Sequence, residues 1–201
     1  MRTFIAIELD GSLASFVAET QAMLQRILAP ASNRLVRWTH PEKAHLTLRF
    51  LGETDEDARR RITAELARVA ADHDGLRLGL NKLGCFPKPQ QPSVLWLGFS
   101  GDLEALQTLQ SAVEMVARSA GFVAEKRAFK PHLTIGRVQR NAASAARRRL
   151  GEEFARIAAM QDVVSPPVEV DELVYMQSDL QPTGAVYTPL ARFSLGSGDQ
   201  A

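Results

Sequence analysis

Two short stretches of this sequence resemble each other: residues 45–52 read HLTLRFLG, and residues 131–138 read PHLTIGRV. Each contains His-Leu-Thr followed by an aliphatic residue. Each segment is rich in aliphatic, β-branched and aromatic side chains, which predicts a β-strand. The repeat therefore predicts two similar strands in two similar parts of the chain.

Strand geometry gives each copy a chemical face and a core face. Side chains alternate along a strand, so His45 and Thr47 project together, as do His132 and Thr134. The aliphatic residues between and after them face the opposite side. The full motifs are His45, Leu46, Thr47 and Leu48 in the first strand and His132, Leu133, Thr134 and Ile135 in the second.

Helices and strands are interleaved along the rest of the chain. Hairpin-length connections at residues 84–92 and 178–184 favour antiparallel sheets over a doubly wound parallel sheet. We expect one α+β domain over residues 1–201, bilobal, with two similar halves, each an antiparallel sheet with outer helices, and an active-site cleft between them. Residues 196–201 form a small polar tail that we expect to fray. Strands are predicted at 3–8, 45–51, 76–80, 93–99, 130–138, 168–177 and 185–195, and helices near Ser12, Thr54, Asp102 and Asn141.

Composition limits the kinds of partner. The formal net charge of +1 over 201 residues is unlike that of a polybasic nucleic-acid binder, so RNA contacts should be local. The only cysteine, Cys85, allows no intrachain disulfide and is interpreted as a small apolar residue at a strand end. No apolar run is long enough to span a bilayer, and the start is unlike a secretory signal. We expect a cytoplasmic monomer with no membrane contact.

Two imidazoles and two hydroxyls suit attack on a phosphodiester without a metal. A neutral histidine takes a proton from water, while a protonated one gives a proton to the leaving alkoxide. Because the ordinary pKa of imidazole is about 6.5, both forms coexist near neutral pH. Thr47 and Thr134 supply hydroxyl donors to the phosphate oxygens. With no third ligand at metal spacing, a zinc hydrolase is disfavoured, and we expect no metal and no cofactor.

Phe50 and Arg137 stand five residues after His45 and His132. In regular alternation this odd offset places both on the core side, while Arg49 shares the face of His45. Phe50 and Arg137 reach the chemical face only if a bulge interrupts each strand, near Arg49 in the first and at Gly136 in the second.

Longer signatures around both motifs resemble a known family. The first is Arg37-Trp38-x-x-Pro41-Glu42-x-x-His45-Leu46-Thr47-Leu48-x-Phe50-Leu51-Gly52, and the second is Phe129-Lys130-Pro131-His132-Leu133-Thr134-Ile135-Gly136-Arg137. Together they resemble the RNA 2′,3′-cyclic 3′-phosphodiesterases of the two-histidine (2H) phosphoesterase superfamily, historically called 2′-5′ RNA ligases. Supporting matches lie at residues 4–7, 86–87, 95–98 and 177–187.

The resemblance implies roles that the residues alone do not assign. It makes His45 the proton donor to the departing O3′ and His132 the proton acceptor that activates water. It places Thr47 and Thr134 at the phosphate oxygens, together with Arg137. It also places Phe50 under the nucleobase. The implied partner is RNA with a 2′,3′-cyclic phosphate end, the implied product is a 2′-phosphomonoester, and reversible 2′-5′ ligation is part of the same chemistry.

Other hypotheses stay open at this point. The same site would suit a smaller substrate, such as ADP-ribose cyclic phosphate, or 2′-5′-linked oligonucleotides. A non-catalytic RNA-binding module is the alternative of a different class, although such a module needs no paired titratable groups. The basic residues that flank the motifs are candidates for guiding RNA: Arg34, Arg37, Lys126, Arg127 and Lys130.

Overall fold

The computed structural model describes residues 1–181 and 184–196, which form nine strands and five α-helices. In chain order they are β1 (Arg2–Glu8), α1 (Gly11–Ile27), α2 (Pro30–Asn33), β2 (Val36–Trp38), a 3-10 turn (Pro41–Lys43), β3 (His45–Glu53), α3 (Glu56–Ala71), β4 (Leu76–Phe86), β5 (Val94–Gly101), α4 (Leu103–Ser119), β6 (His132–Val138), α5 (Ser144–Met160), β7 (Val168–Val170), β8 (Glu172–Gln181) and β9 (Gly184–Ser194).

The strands form an antiparallel sheet in the order β7-β4-β5-β6-β3-β1-β8-β9, with β2 paired to β6 away from this path. One half consists of β3, β1, β8 and β9, and the other of β6, β5, β4 and β7. The two halves meet between β3 and β6 at one residue pair, Leu46 with Leu133. The α+β fold with two antiparallel halves is thus confirmed, and this pair joins their sheets into one.

The helices pack on one face of the sheet. Along β1, Ile5 and Ile7 belong to the main core under the helices, whereas Phe4 and Ala6 belong to a small cluster on the opposite face. Helix α4 lies against β3 and β4 and also packs on α3, which in turn contacts β8 and β9. One core therefore runs through both halves, and the other face is left for a cleft.

Two helices are capped by aspartates that lie close to the predicted helix starts at Ser12 and Thr54. Asp10, not Ser12, caps α1 by accepting the Leu13 backbone N–H at 2.8 Å, and Ser12 donates its hydroxyl to the same carboxylate. Asp55, not Thr54, caps α3 in the same way. An ionised carboxylate is a stronger acceptor for the free N–H groups of a first turn than a hydroxyl is. Thr54 instead hydrogen-bonds to the buried hydroxyl of Thr3.

Several element boundaries differ from the predicted ones. Strand β4 continues to Phe86, and the short strands β2 and β7 were not predicted as separate elements. Gly196 is the first residue of the tail that is predicted to fray, but it is held by hydrogen bonds from its N–H to the carbonyls of Ala70 and His73. Residues 197–201 lie outside the described residues, as does Pro182 of the predicted turn. No helix in the described part of the chain is long and apolar enough to cross a membrane.

Candidate active site

Both motif histidines are oriented by the same kind of hydrogen bond. His45 Nδ1 lies 3.0 Å from the Lys43 carbonyl oxygen, and His132 Nδ1 lies 2.7 Å from that of Lys130. A carbonyl only accepts, so Nδ1 carries the hydrogen in both rings. This bond selects the tautomer in which Nε2 of the neutral ring has a free lone pair. In each case the anchor is the backbone two residues before the histidine, a position that no side-chain pattern marks.

The β3–β6 junction brings the two motifs together. Antiparallel pairing of Leu46 with Leu133 sets His45 toward Thr134 and Thr47 toward His132. Both leucines are fully buried beneath the junction. The four polar side chains line one cleft of about 310 Å³, which also contains Arg137 and Tyr187. The predicted set of two imidazoles and two hydroxyls is therefore assembled in one cleft.

Each motif strand contains a one-residue bulge just after its threonine. In β3, Ala6 pairs with Thr47 and Ile5 with Arg49, which leaves Leu48 unpaired. In β6, Trp96 pairs with Thr134 and Leu95 with Gly136, so that the residue between Thr134 and Gly136 is the extra one. An extra residue reverses the alternation of the residues that follow it.

The bulges place both i+5 residues on the open side of the sheet. Arg137 is exposed and lines the cleft. Phe50 is 46% exposed, and its ring lies 6.5 Å from that of Phe4, whose ring is 4.9 Å from that of His45. Both residues therefore lie on the face of the sheet that carries His45 and His132.

Arg49 does not share the face of His45, contrary to regular alternation. The bulge turns Arg49 toward the core, where it is 8% exposed. Its Nε lies 2.6 Å from Glu114 Oε2 on α4, and its guanidinium donates to the Val123 carbonyl. Arg49 is therefore a structural link between β3 and α4, away from the cleft.

Aromatic rings enclose the two histidines, and sequence reasoning did not identify them as site residues. Tyr187 on β9 packs edge-on against His45 at a centroid distance of 4.9 Å and also against Phe4 at 5.2 Å, so the three rings form one cluster. Phe86 packs edge-on against His132 and is backed by Trp96. These rings come from strands distant in sequence, and the sheet order brings them to the two histidines.

The electrostatic surroundings of the two histidines differ. Burial lowers the pKa of both, against the opposing effect of each carbonyl hydrogen bond, and Arg137 lowers both further. Glu8 on β1 is the direct pairing partner of His45, and its negative charge raises the pKa of His45. The equivalent position beside His132 is Gly98 on β5. A carboxylate thus favours the protonated form at His45, with no counterpart at the β5 position.

The flanking basic residues separate into different surroundings. Arg37 lines the cleft. Arg127 pairs with the exposed Glu125, whose pKa it lowers to about 2. The carbonyl of Lys130 anchors His132. Of this group, Arg37 is the residue that the structure brings to the candidate site.

No three side chains of His, Cys, Asp or Glu gather at metal-binding geometry within residues 1–181 and 184–196. Cys85 is half-buried on β4, and burial raises the pKa of its thiol. A protonated thiol is a poor nucleophile, which agrees with its interpretation as a packing residue.

Comparisons with known proteins place this geometry in a family. The family model described as the 2′-5′ RNA ligase superfamily matches residues 13–181. The RNA 2′,3′-cyclic phosphodiesterase of Methanothermobacter thermautotrophicus is 32% identical over 197 residues, covering 97% of this chain and 99% of that protein. The protein of the same name from Aeropyrum pernix is 34% identical over 149 residues, covering 74% of this chain and 80% of that protein.

Solved structures share the fold. The crystal structure of TT0787 of Thermus thermophilus superposes with a TM-score of 0.73 at 26% identity, covering 98% of this chain and 100% of that one. E. coli LigT complexed with 3′-AMP has the same TM-score at 22% identity, covering 96% and 97% of the two chains. The likeness to LigT bears on the fold alone.

Proposed function

Because this chain belongs to the 2′-5′ RNA ligase superfamily, we propose that it hydrolyses RNA 2′,3′-cyclic phosphate ends to 2′-phosphomonoesters. His45 and His132 act as a metal-independent acid–base pair. The observation that carries the proposal is the matched anchoring of both Nδ1 atoms on backbone carbonyls within one cleft. A binding module needs no such pair of oriented titratable groups, so catalysis is favoured over binding alone.

The proposed reaction is an in-line displacement at phosphorus. His132 Nε2 takes a proton from water as its oxygen bonds to phosphorus. The P–O3′ bond breaks, and protonated His45 gives its Nε2 proton to O3′. Thr47, Thr134 and Arg137 donate hydrogen bonds to the non-bridging oxygens as their charge grows. The products are a 2′-phosphate and a 3′-hydroxyl, and exchange with solvent returns each histidine to its starting protonation state.

Glu8 supports His45 as the donor. The donor must be protonated at the start of the reaction, and a neighbouring carboxylate stabilises an imidazolium. Glu8 pairs directly with His45 across β1 and β3, whereas Gly98 occupies the matching position beside His132. Glu8 also binds Arg192 at 2.6 Å, which fixes the carboxylate in place and weakens its effect on His45.

Ligation follows from the same site if another nucleophile replaces water. A 5′-hydroxyl deprotonated by His132 would attack the cyclic phosphate and give a 2′-5′ phosphodiester, with His45 protonating O3′ as before. Phe50 is proposed as the surface on which the terminal base stacks. Its ring is exposed on the cleft side, and the Arg2 guanidinium lies 5.4 Å from its centroid.

The experiment is turnover of a nucleoside 2′,3′-cyclic phosphate in the presence of excess chelator, with the products separated by chromatography. We expect a 2′-phosphomonoester as the product. A 3′-phosphate would show that the other P–O bond breaks and would contradict the assigned leaving group. Turnover that appears only after a divalent metal is added would contradict the acid–base pair.

A further inference from the structure

We propose that Arg37 and Arg137 form a two-phosphate site, in which Arg137 holds the cyclic phosphate and Arg37 holds the phosphate on the 5′ side of the same nucleotide. This inference rests on the proposed function and names the form of substrate that the site prefers. The preferred substrate is an RNA end that carries a second phosphate, one nucleotide unit from the first.

Strand β2 pairs with β6 beside the cleft. Arg37 is the direct antiparallel partner of Arg137, between the pairs Val36–Val138 and Trp38–Gly136. Direct partners project from the same face of a sheet with their Cβ atoms about 5 Å apart. Both arginines are exposed, and both line the cleft that contains His45 and His132. Two guanidinium groups therefore share the cleft with the reacting groups.

Both side chains of this pair carry a positive charge. Like charges directly opposite each other destabilise a strand pair. Within residues 1–181 and 184–196, neither Arg37 nor Arg137 forms an ion pair, whereas several other arginines with exposed or half-exposed side chains do. Those paired with carboxylates are Arg59, Arg60, Arg68, Arg77, Arg127, Arg148 and Arg192. A second anion in the cleft would compensate the repulsion, and Lys43 adds a further positive charge to the lining.

The backbone of Arg37 is fixed, although β2 has only three residues. Trp38 Nε1 donates to Asn33 Oδ1 at 2.9 Å, and the amide of Gln21 donates to the carbonyls of Thr39 and Ile135. The strands also approach closely, because a Cβ on Gly136 would lie 2.6 Å from Val36 Cγ1. A fixed backbone limits the positions that the Arg37 side chain can reach, so less conformational entropy is lost when its guanidinium binds phosphate.

The consequence is a preference among RNA ends. A nucleoside 2′,3′-cyclic phosphate has only the phosphate that Arg137 would hold. A 5′-phosphorylated nucleoside 2′,3′-cyclic phosphate also presents one to Arg37, as does a dinucleotide ending in a cyclic phosphate. The 5′-phosphorylated mononucleotide is the sharper probe, because it adds a phosphate without adding a second base.

The test compares kcat/KM for these two mononucleotides in wild type and in Arg37→Gln. We expect the wild type to prefer the 5′-phosphorylated substrate by about tenfold, as for one charge-assisted contact to phosphate. In Arg37→Gln, the ratio of kcat/KM for the 5′-phosphorylated substrate to that for the unphosphorylated one should be near one. The main cause should be a lower kcat/KM for the 5′-phosphorylated substrate. Because salt screens a contact between charges, the salt dependence of kcat/KM for that substrate should also become weaker in this variant.

The matched control is Arg61→Gln, which removes the same charge from an exposed position on α3. This control should keep the wild-type ratio. The two-phosphate site would be overturned if the wild type showed a ratio near one or if Arg37→Gln left the ratio unchanged. It would also be overturned if Arg61→Gln lost the preference for the 5′-phosphorylated substrate as fully as Arg37→Gln. Failure of the proposed function would look different, since the unphosphorylated nucleoside 2′,3′-cyclic phosphate would then not be hydrolysed at all.

Discussion

At the scale of single residues, backbone carbonyls determine what the two histidines can do. The bonds from His45 to Lys43 and from His132 to Lys130 fix the tautomer of both rings. Alternation along a strand was enough to predict that each histidine lies beside a threonine. It was not enough to predict the carbonyl anchors or the ring of Tyr187, because those depend on local backbone path and on sheet order.

The pH dependence follows from the directions of the pKa changes. Burial holds the pKa of both His45 and His132 below the ordinary value of about 6.5. Activity needs one histidine neutral and the other protonated, so kcat/KM, which reports free enzyme, should be bell-shaped in pH with its maximum below about 6.5. A bound phosphodiester anion favours imidazolium, so the kcat profile should lie at higher pH.

Glu8→Gln tests which histidine is the donor. Loss of this carboxylate lowers the pKa of His45, because the imidazolium loses a neighbouring negative charge. If His45 is the donor, the alkaline limb of kcat/KM moves to lower pH and the acid limb stays in place. The control is Glu172→Gln, which removes the other carboxylate bound to Arg192 and should leave the profile unchanged. If the acid limb moved instead, His45 would be the proton acceptor and His132 the donor, contrary to the assignment.

At the scale of elements, the bulges in β3 and β6 decide which side chains enter the cleft. They turn Phe50 and Arg137 toward it and turn Arg49 away. In β6, Gly136 is a residue type that favours a bulge. In β3, the extra residue is Leu48, and a leucine does not indicate a bulge. A bulge is a mismatch in length between paired strands, so it becomes visible only when the partner register is known.

Packing of α5 against the loop after β4 makes a specific prediction for Gly151. A Cβ at this position would lie 1.8 Å from the Pro89 carbonyl oxygen, too close for any real contact. Alanine is otherwise the better helix former by about 1 kcal/mol. We expect the clash to outweigh that preference, so Gly151→Ala should lower the free energy of unfolding by about 1–3 kcal/mol in urea titrations.

Gly11→Ala is the control for this substitution. Gly11 lies in the first turn of α1, where an added Cβ meets nothing within 4 Å. The stability of this variant should be unchanged or slightly higher. If both glycine variants are equally stable, α5 and the Pro89 loop are not packed as described.

At the scale of the whole molecule, the two halves share one sheet and one core. The sequence predicted two similar halves from the repeated motif, but not that Leu46 and Leu133 join them. That pairing brings together residues 87 positions apart, and no local pattern specifies such a register. The α3–α4 contact then links the helices behind the junction.

A shared core predicts that the chain unfolds as a single domain. Heating should give one transition with calorimetric and van't Hoff enthalpies in agreement. Leu97→Ala, which removes a fully buried side chain from β5, should shift that whole transition, with a loss of about 2–5 kcal/mol. Two transitions, only one of which moves in Leu97→Ala, would show that the halves are separate domains.

The most direct test of the central claim is the kcat/KM of His45→Ala and His132→Ala on a nucleoside 2′,3′-cyclic phosphate in excess chelator. Each variant should lose about 10²–10⁴-fold, as expected for removal of a general acid or base. His73→Ala, which changes a histidine that follows α3 outside the cleft, should keep wild-type turnover. Wild-type turnover in either the His45 or the His132 variant would contradict the account.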